Sequence, residues 1–293
     1  MGVAHRINTK IAVCVAAMVV INVVAISLAA RPVEAGKPGS ATNPALMPDL
    51  QTVVPAHLNL VNEHQREILR FSNGIANTGV GPWALRPDPF PADATPDTTT
   101  IAAVQEFRDA NAYYECGTQP ANVTACYNVV SEQVAGQFEF HPAHNHWHIG
   151  DVALFEVRKG SPTGRIVGGN SIKTTFCLID WYKLADNSPT AERVFFDCYA
   201  SYQGISSGWV DQYHQSTEGQ QLDLTDVPNA NDYYLVSTSN YAQVFTETDY
   251  KNNTAWVRFR LTSDSKGNRK VEVTDHSPCV MGTGLCGERS TNR

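Results

Sequence analysis

The segment DVALFEVRK (151–159) is followed by GSPTG (160–164) and then by RIVGG (165–169). Branched and aromatic side chains crowd the outer pieces, and the middle piece carries the residue types that turn a chain. Together they read as two strands joined by a turn. The same composition recurs in REILRFSNGIANTG (66–79), IKTTFCLIDWY (172–182) and RVFFDCYASY (193–202). It returns in QLDLTD (221–226), DYYLVSTS (232–239) and TAWVRFRLTSD (254–264), after which KGN (266–268) turns into RKVEVTD. Helical periodicity has one candidate, AAVQEFRDANAYY (102–114), and no repeat of fixed period is present. The pattern predicts an all-β chain, a β-sandwich-like single domain with little helix. Long loops are expected at 81–97 and 185–191.

Directly upstream stands FEFHPAHNHWH (138–148), which holds four of the nine histidines. In extended chain every second side chain shares a face, so His144, His146 and His148 project together while Asn145 and Trp147 face the other way. Alternate Cα atoms lie about 6.6 Å apart, a gap that two imidazoles can close onto one ion. A third needs curvature or a bulge, and Pro142 and Gly150 bracket the segment suitably. A single strand histidine is ordinarily a satisfied polar residue. Three in alternation, which would repel one another when charged, point to a metal. His141 is out of phase and reads as an outer partner or proton carrier. Three imidazoles with an open position suit zinc and copper alike, so spacing does not choose the ion. The helical HExxH pattern of zinc proteases is absent.

The first 35 residues are a separate matter. Arg6 and Lys10 precede the apolar run IAVCVAAMVVINVVAISLAA (11–30), and Val33-Glu34-Ala35 offers a small-residue cleavage site. Residues 1–35 read as a secretory signal peptide. The run also has the length of a bilayer span, so an uncleaved anchor is the alternative, and only that case brings a membrane into play. Either reading places the rest outside the cytoplasm. Residues 36–45 form a Gly/Pro/Ser linker, 46–275 one domain, and 276–293 a tail.

The chain carries a net charge of −7, which grows more negative when Arg6, Lys10 and Arg31 leave with Glu34. Such a surface argues against nucleic acid and favours encounter with cations. Beyond Cys14, six cysteines remain, an even count that implies disulfides in an oxidising compartment. Many connectivities are open. Loop closure favours near neighbours, hence Cys116–Cys126 and Cys279–Cys286, leaving Cys177–Cys198.

HPAHNHWHIGDVALFEV (141–157) resembles the copper-binding segment of the lysyl oxidase family, H-x-x-H-x-H-[aromatic]-H before an acidic, aromatic strand. LMPDLQ (46–51), LRFSNGIANTGVGPWALRP (69–87) and IKTTFCLID (172–180) are similar to further family segments in the same order. So are GISSGWVDQY (204–213), LDLTDV (222–227) and ETDYKNNTAWVRFRL (247–261), which carries the likeness across residues 46–261.

This resemblance implies that His144, His146 and His148 ligate Cu²⁺ and that Lys173 and Tyr213 form lysine tyrosylquinone (LTQ). It further implies a secreted enzyme that uses O₂ to oxidise protein lysine side chains or small primary amines to aldehydes, releasing H₂O₂ and ammonia. Without it, Lys173 reads as a solvent-facing lysine and Tyr213 as core packing. The sequence departs from the family at Ala143 and Trp209, where the family has cysteine, which leaves Cys177 as the natural partner of Cys198. Asp211 and His141 are candidate bases that sequence does not place. The other classes carried forward are an exported, non-catalytic metal-binding sandwich and a zinc hydrolase.

Overall fold

The computed structural model describes residues 45–89, 100–109, 129–142, 144–198 and 202–291, without the side chains of residues 169–171 and Lys173. The signal or anchor segment, nearly all of the linker and the Cys116–Cys126 pair lie outside the described residues. Among the described residues there is no helix, and therefore none long and apolar enough to cross a membrane. The chain is all-β, as its composition predicts.

Two antiparallel sheets carry the fold. The smaller is built on β3 (Arg66–Asn77), flanked by β1 (Leu50–Thr52) and β2 (Ala56–Glu63). On β3 also pair β11 (Trp209–Tyr213) and β12 (Gln221–Asp223), and β9 (Tyr182–Lys183) continues beyond β11. The larger sheet begins with β10 (Gln203–Ile205), β4 (Trp83–Asp88), β5 (Thr100–Arg108) and β6 (Val129–His141). It continues through β7 (His146–Lys159), β13 (Ala230–Ser239), β14 (Thr254–Ser263) and β15 (Arg269–His276). β8 (Arg165–Phe176) pairs with β7, making the hairpin expected around Gly160–Gly164.

The core lies where the sheets face each other. Phe71 of β3 meets Phe155 of β7 edge-on, with centroids 4.9 Å apart. Both rings are fully buried. Edge-to-face pairs add about 1 kcal/mol beyond the area that they bury. At one end the buried Glu247 carboxylate accepts from Leu50 N–H at 2.6 Å and from the Asn253 side chain at 2.7 Å, tying β1 to the 247–253 loop.

Three expectations are corrected. Residues 102–108, the candidate helix, belong to β5, because Ile101, Ala103, Val104 and Phe107 are buried along a paired strand. The rest of that stretch lies outside the described residues. The long loop at 81–97 contains strand β4, held by β5 and β10. Residues 193–198, read as strand, form none: Val194 N–H and Phe195 N–H donate to the Asp180 carboxylate instead of to a ladder, at 2.8 and 3.1 Å. Disulfides join Cys177 to Cys198 and Cys279 to Cys286, as the short loops suggest.

Candidate functional site

β6 and β7 form a tight hairpin with the register Glu139↔His148, Phe140↔Trp147 and His141↔His146. Phe140 and Trp147 pack edge to face at 5.4 Å on the inner side, and Trp147 is 1% exposed. Strand alternation then puts His146 and His148 on the opposite face, as expected.

His144 reaches that face by a different route from the predicted one. It is not in extended chain but in the hairpin turn, where His144 N–H and Asn145 N–H both donate to the His141 carbonyl, at 3.1 and 2.9 Å. Asn145 takes φ 56°, a left-handed value that asparagine tolerates better than most residues. The turn, not a bulge, supplies the curvature and folds His144 back over the strand.

The three rings converge. His148 Nε2 lies 3.0 Å from His146 Nε2 and 3.3 Å from His144 Nδ1. Bonds of about 2.0 Å to a tetrahedral ion place ligand nitrogens roughly 3.3 Å apart, so these separations suit a shared ion. Burial first, then the neighbouring imidazoles, pushes His148 down to about 3. Burial and His144 likewise lower His146. Both rings are therefore neutral near pH 7, the form in which imidazole binds metal. His148 Nδ1 lies 3.1 Å from Thr175 Oγ1, and His144 Nε2 lies 3.6 Å from Glu218. His141 joins the cluster by stacking on His144 and His148, with centroids 4.2 and 4.8 Å apart.

Tyr213 comes from the other sheet. Its backbone pairs with Asn73 at the end of β11, and its ring stacks on Phe176 at 3.7 Å and 17°. The hydroxyl donates to the Cys177 carbonyl. Asp211, two residues earlier on the same strand face, is 1% exposed. Burial, reinforced by the nearby Asp180, drives its carboxyl well above the ordinary carboxylate range; hydrogen bonds from Tyr213 and Ile179 only partly oppose this. Burial and the Asp211 charge in turn raise the Tyr213 phenol.

One cavity of about 490 Å³ is lined by His144, His146, His148, Asp211 and Tyr213. The histidines and tyrosine singled out from sequence thus share a wall. Lys173 lies in β8 opposite Leu154, two residues before Thr175. Sequence reasoning misses Thr175 and Glu218. Thr175 resembles any other strand threonine, and Glu218 is a lone acidic residue in a turn-rich stretch.

A family model described as lysyl oxidase matches residues 118–270, more than half of the chain and a span that includes every one of these site residues. No curated protein matches the chain.

Proposed function

The chain belongs to the lysyl oxidase family, and from that membership we propose that it oxidatively deaminates peptidyl lysine or other primary amines to aldehydes, using copper and O₂ and releasing H₂O₂ and ammonia. The family is copper dependent and acts on peptidyl lysine and amines. The observation that carries the reading for this chain is the shared cavity, lined by three converging imidazoles and by Tyr213.

The donor set fits copper. Ligand atoms of His144, His146 and His148 all lie within 4.8 Å of one another, and imidazole is a preferred ligand of Cu²⁺. Bound there, copper supplies with O₂ the oxidation of the Tyr213 ring and the reoxidation that each turnover requires. The chain's own residues do the rest. Thr175 fixes the orientation of His148. Phe176 holds the Tyr213 ring flat, and the Cys177 carbonyl holds its hydroxyl. Asp211, its carboxyl raised by burial, lies beside that hydroxyl. Lys173 would supply the amine that adds to the oxidised Tyr213 ring. The ring hydrogen leaves as a proton while two electrons pass to a second O₂, which restores the quinone and gives lysine tyrosylquinone without any external organic cofactor.

The disulfides suit an oxidising compartment, and with the N-terminal segment they support a secreted enzyme, or one anchored by that segment. Peptide mapping of protein matured with copper in air tests the proposal. The expected result is one cross-linked pair containing Lys173 and Tyr213, with a quinone-sensitive stain lost in Lys173→Ala and Tyr213→Phe. Two separate peptides, or colour that survives both substitutions, would leave a metal-binding sandwich without this chemistry.

A further inference from the structure

The wall of the cavity also contains the Cys177–Cys198 disulfide. The two sulfurs and a ring nitrogen of His146 all lie within 4.8 Å of one another. That is a second donor set, and it shares one member with the three-histidine group. We propose that Cys177, Cys198 and His146 form an alternative metal site, made by reduction of the disulfide, which takes a soft d¹⁰ cation of the Zn²⁺ type and draws His146 away from His144 and His148.

The chemistry closes with a small dithiol as reductant. Its two thiols break the Cys177–Cys198 bond, two electrons pass to the cysteine sulfurs, and the dithiol becomes a disulfide. Metal binding then displaces the two cysteine protons. Thiolates bind at about 2.3 Å and imidazole at about 2.0 Å, so sulfurs already beside His146 have little distance to cover. The sulfurs must move apart once the bond between them is gone. Cys198 can give way, because residues 193–198 are in no strand, whereas Cys177 directly follows β8 and is buried. The disulfide also faces a cavity large enough to admit a small dithiol.

Softness separates the two sets. Three imidazoles accept divalent copper and zinc alike, whereas two thiolates with one imidazole favour zinc or monovalent copper. Reduction of this pair therefore disfavours divalent copper at the hairpin. In the oxidised protein His146 belongs to the imidazole set, and in the reduced protein it belongs to the sulfur set.

Cobalt is the probe, standing in for Zn²⁺. Metal-free full-length protein, never exposed to copper and so not cross-linked, is reduced with a dithiol under nitrogen, freed of reductant and titrated with Co²⁺. Alkylation and mass mapping confirm that Cys177 and Cys198 carry free thiols. The expected result is a thiolate-to-cobalt charge-transfer band that develops to one equivalent in reduced protein and is absent from unreduced protein. Cys198→Ser abolishes the band and Cys279→Ser leaves it intact. His146→Ala alters a half-buried ring without touching the disulfide, so it serves even if Cys198→Ser folds poorly. It should weaken cobalt binding by more than the roughly tenfold that loss of an orienting partner gives. The proposal is overturned if the confirmed reduced pair yields no band, or if His146→Ala binds cobalt as wild type does. Neither outcome depends on whether Lys173 and Tyr213 cross-link.

Discussion

Thr175 Oγ1 sits 3.1 Å from Nδ1 of His148, while Nε2 of the same ring faces His146 at 3.0 Å. The two contacts assign the ring's nitrogens to different jobs. With Nε2 serving as the metal ligand, Nδ1 carries the ring proton and donates it to the threonine. Thr175→Val keeps the shape and removes the acceptor. Copper affinity should fall by roughly 10- to 100-fold, the usual cost of losing a partner that orients a ligand, while thermal stability of the metal-free protein changes little. A competition titration against a chromophoric chelator measures this, and unchanged affinity would deny Thr175 that role.

Trp147 supports the histidines from behind. It is 1% exposed, it packs on Phe140, and its carbonyl accepts from Gln203 at 2.6 Å. Trp147→Ala should destabilise the protein by about 3–5 kcal/mol through lost burial and the cavity left behind. Denaturant unfolding of the metal-free protein gives the number. Phe at this position should recover much of the loss.

Asp211 sets a pH dependence. Its carboxyl is held well above the ordinary range by burial. Between the ordinary carboxylate value and that raised value, the native state keeps a proton that the unfolded chain has released. Its contribution to stability is thus complete at low pH and declines as pH rises, with a limiting slope of about 1.4 kcal/mol per unit. Asparagine mimics the protonated acid but cannot ionise. Metal-free wild type should therefore lose stability relative to Asp211→Asn as pH climbs from 4 towards 8. Asp180, which burial pushes up to about 6, titrates in the same direction in both proteins and is coupled to Asp211, so the difference between the curves reports Asp211 together with that coupling. Parallel pH curves would contradict the assignment.

Glu218 gives a contrasting expectation. It lies 3.6 Å from His144 Nε2, but its side chain is 66% exposed. Solvent screens such pairs to at most about 1 kcal/mol. Glu218→Gln should shift copper affinity by no more than about fivefold, as measured by the same chelator competition. A larger loss would make this carboxylate a ligand.

The sequence is legible where a short pattern decides the outcome. Alternation around Trp147 separates the ring that enters the core from His146 and His148, and branched runs mark β7, β13 and β14. It is less legible where a turn or a distant partner decides. His144 looks like a strand residue by parity, but the backbone bonds to the His141 carbonyl put it in the turn. Residues 193–198 have strand composition, yet the buried Asp180 takes up their N–H groups. Residues 102–108 carry apolar spacing compatible with a helix, and only pairing with β4 and β6 settles them as strand. Residue type alone leaves Tyr213 one tyrosine among eleven; the family resemblance of GISSGWVDQY marks it, and tertiary packing lays it on Phe176.

The hairpin has a consequence for the order of assembly. Its three ring nitrogens come from five consecutive residues closed by one reversal, the kind of local structure that forms within microseconds. Tyr213 arrives only when β11 docks beside β3, a contact distant in sequence and correspondingly slow. The nascent chain can thus complete its ion-binding corner early, well before the tyrosine destined for oxidation is delivered to it.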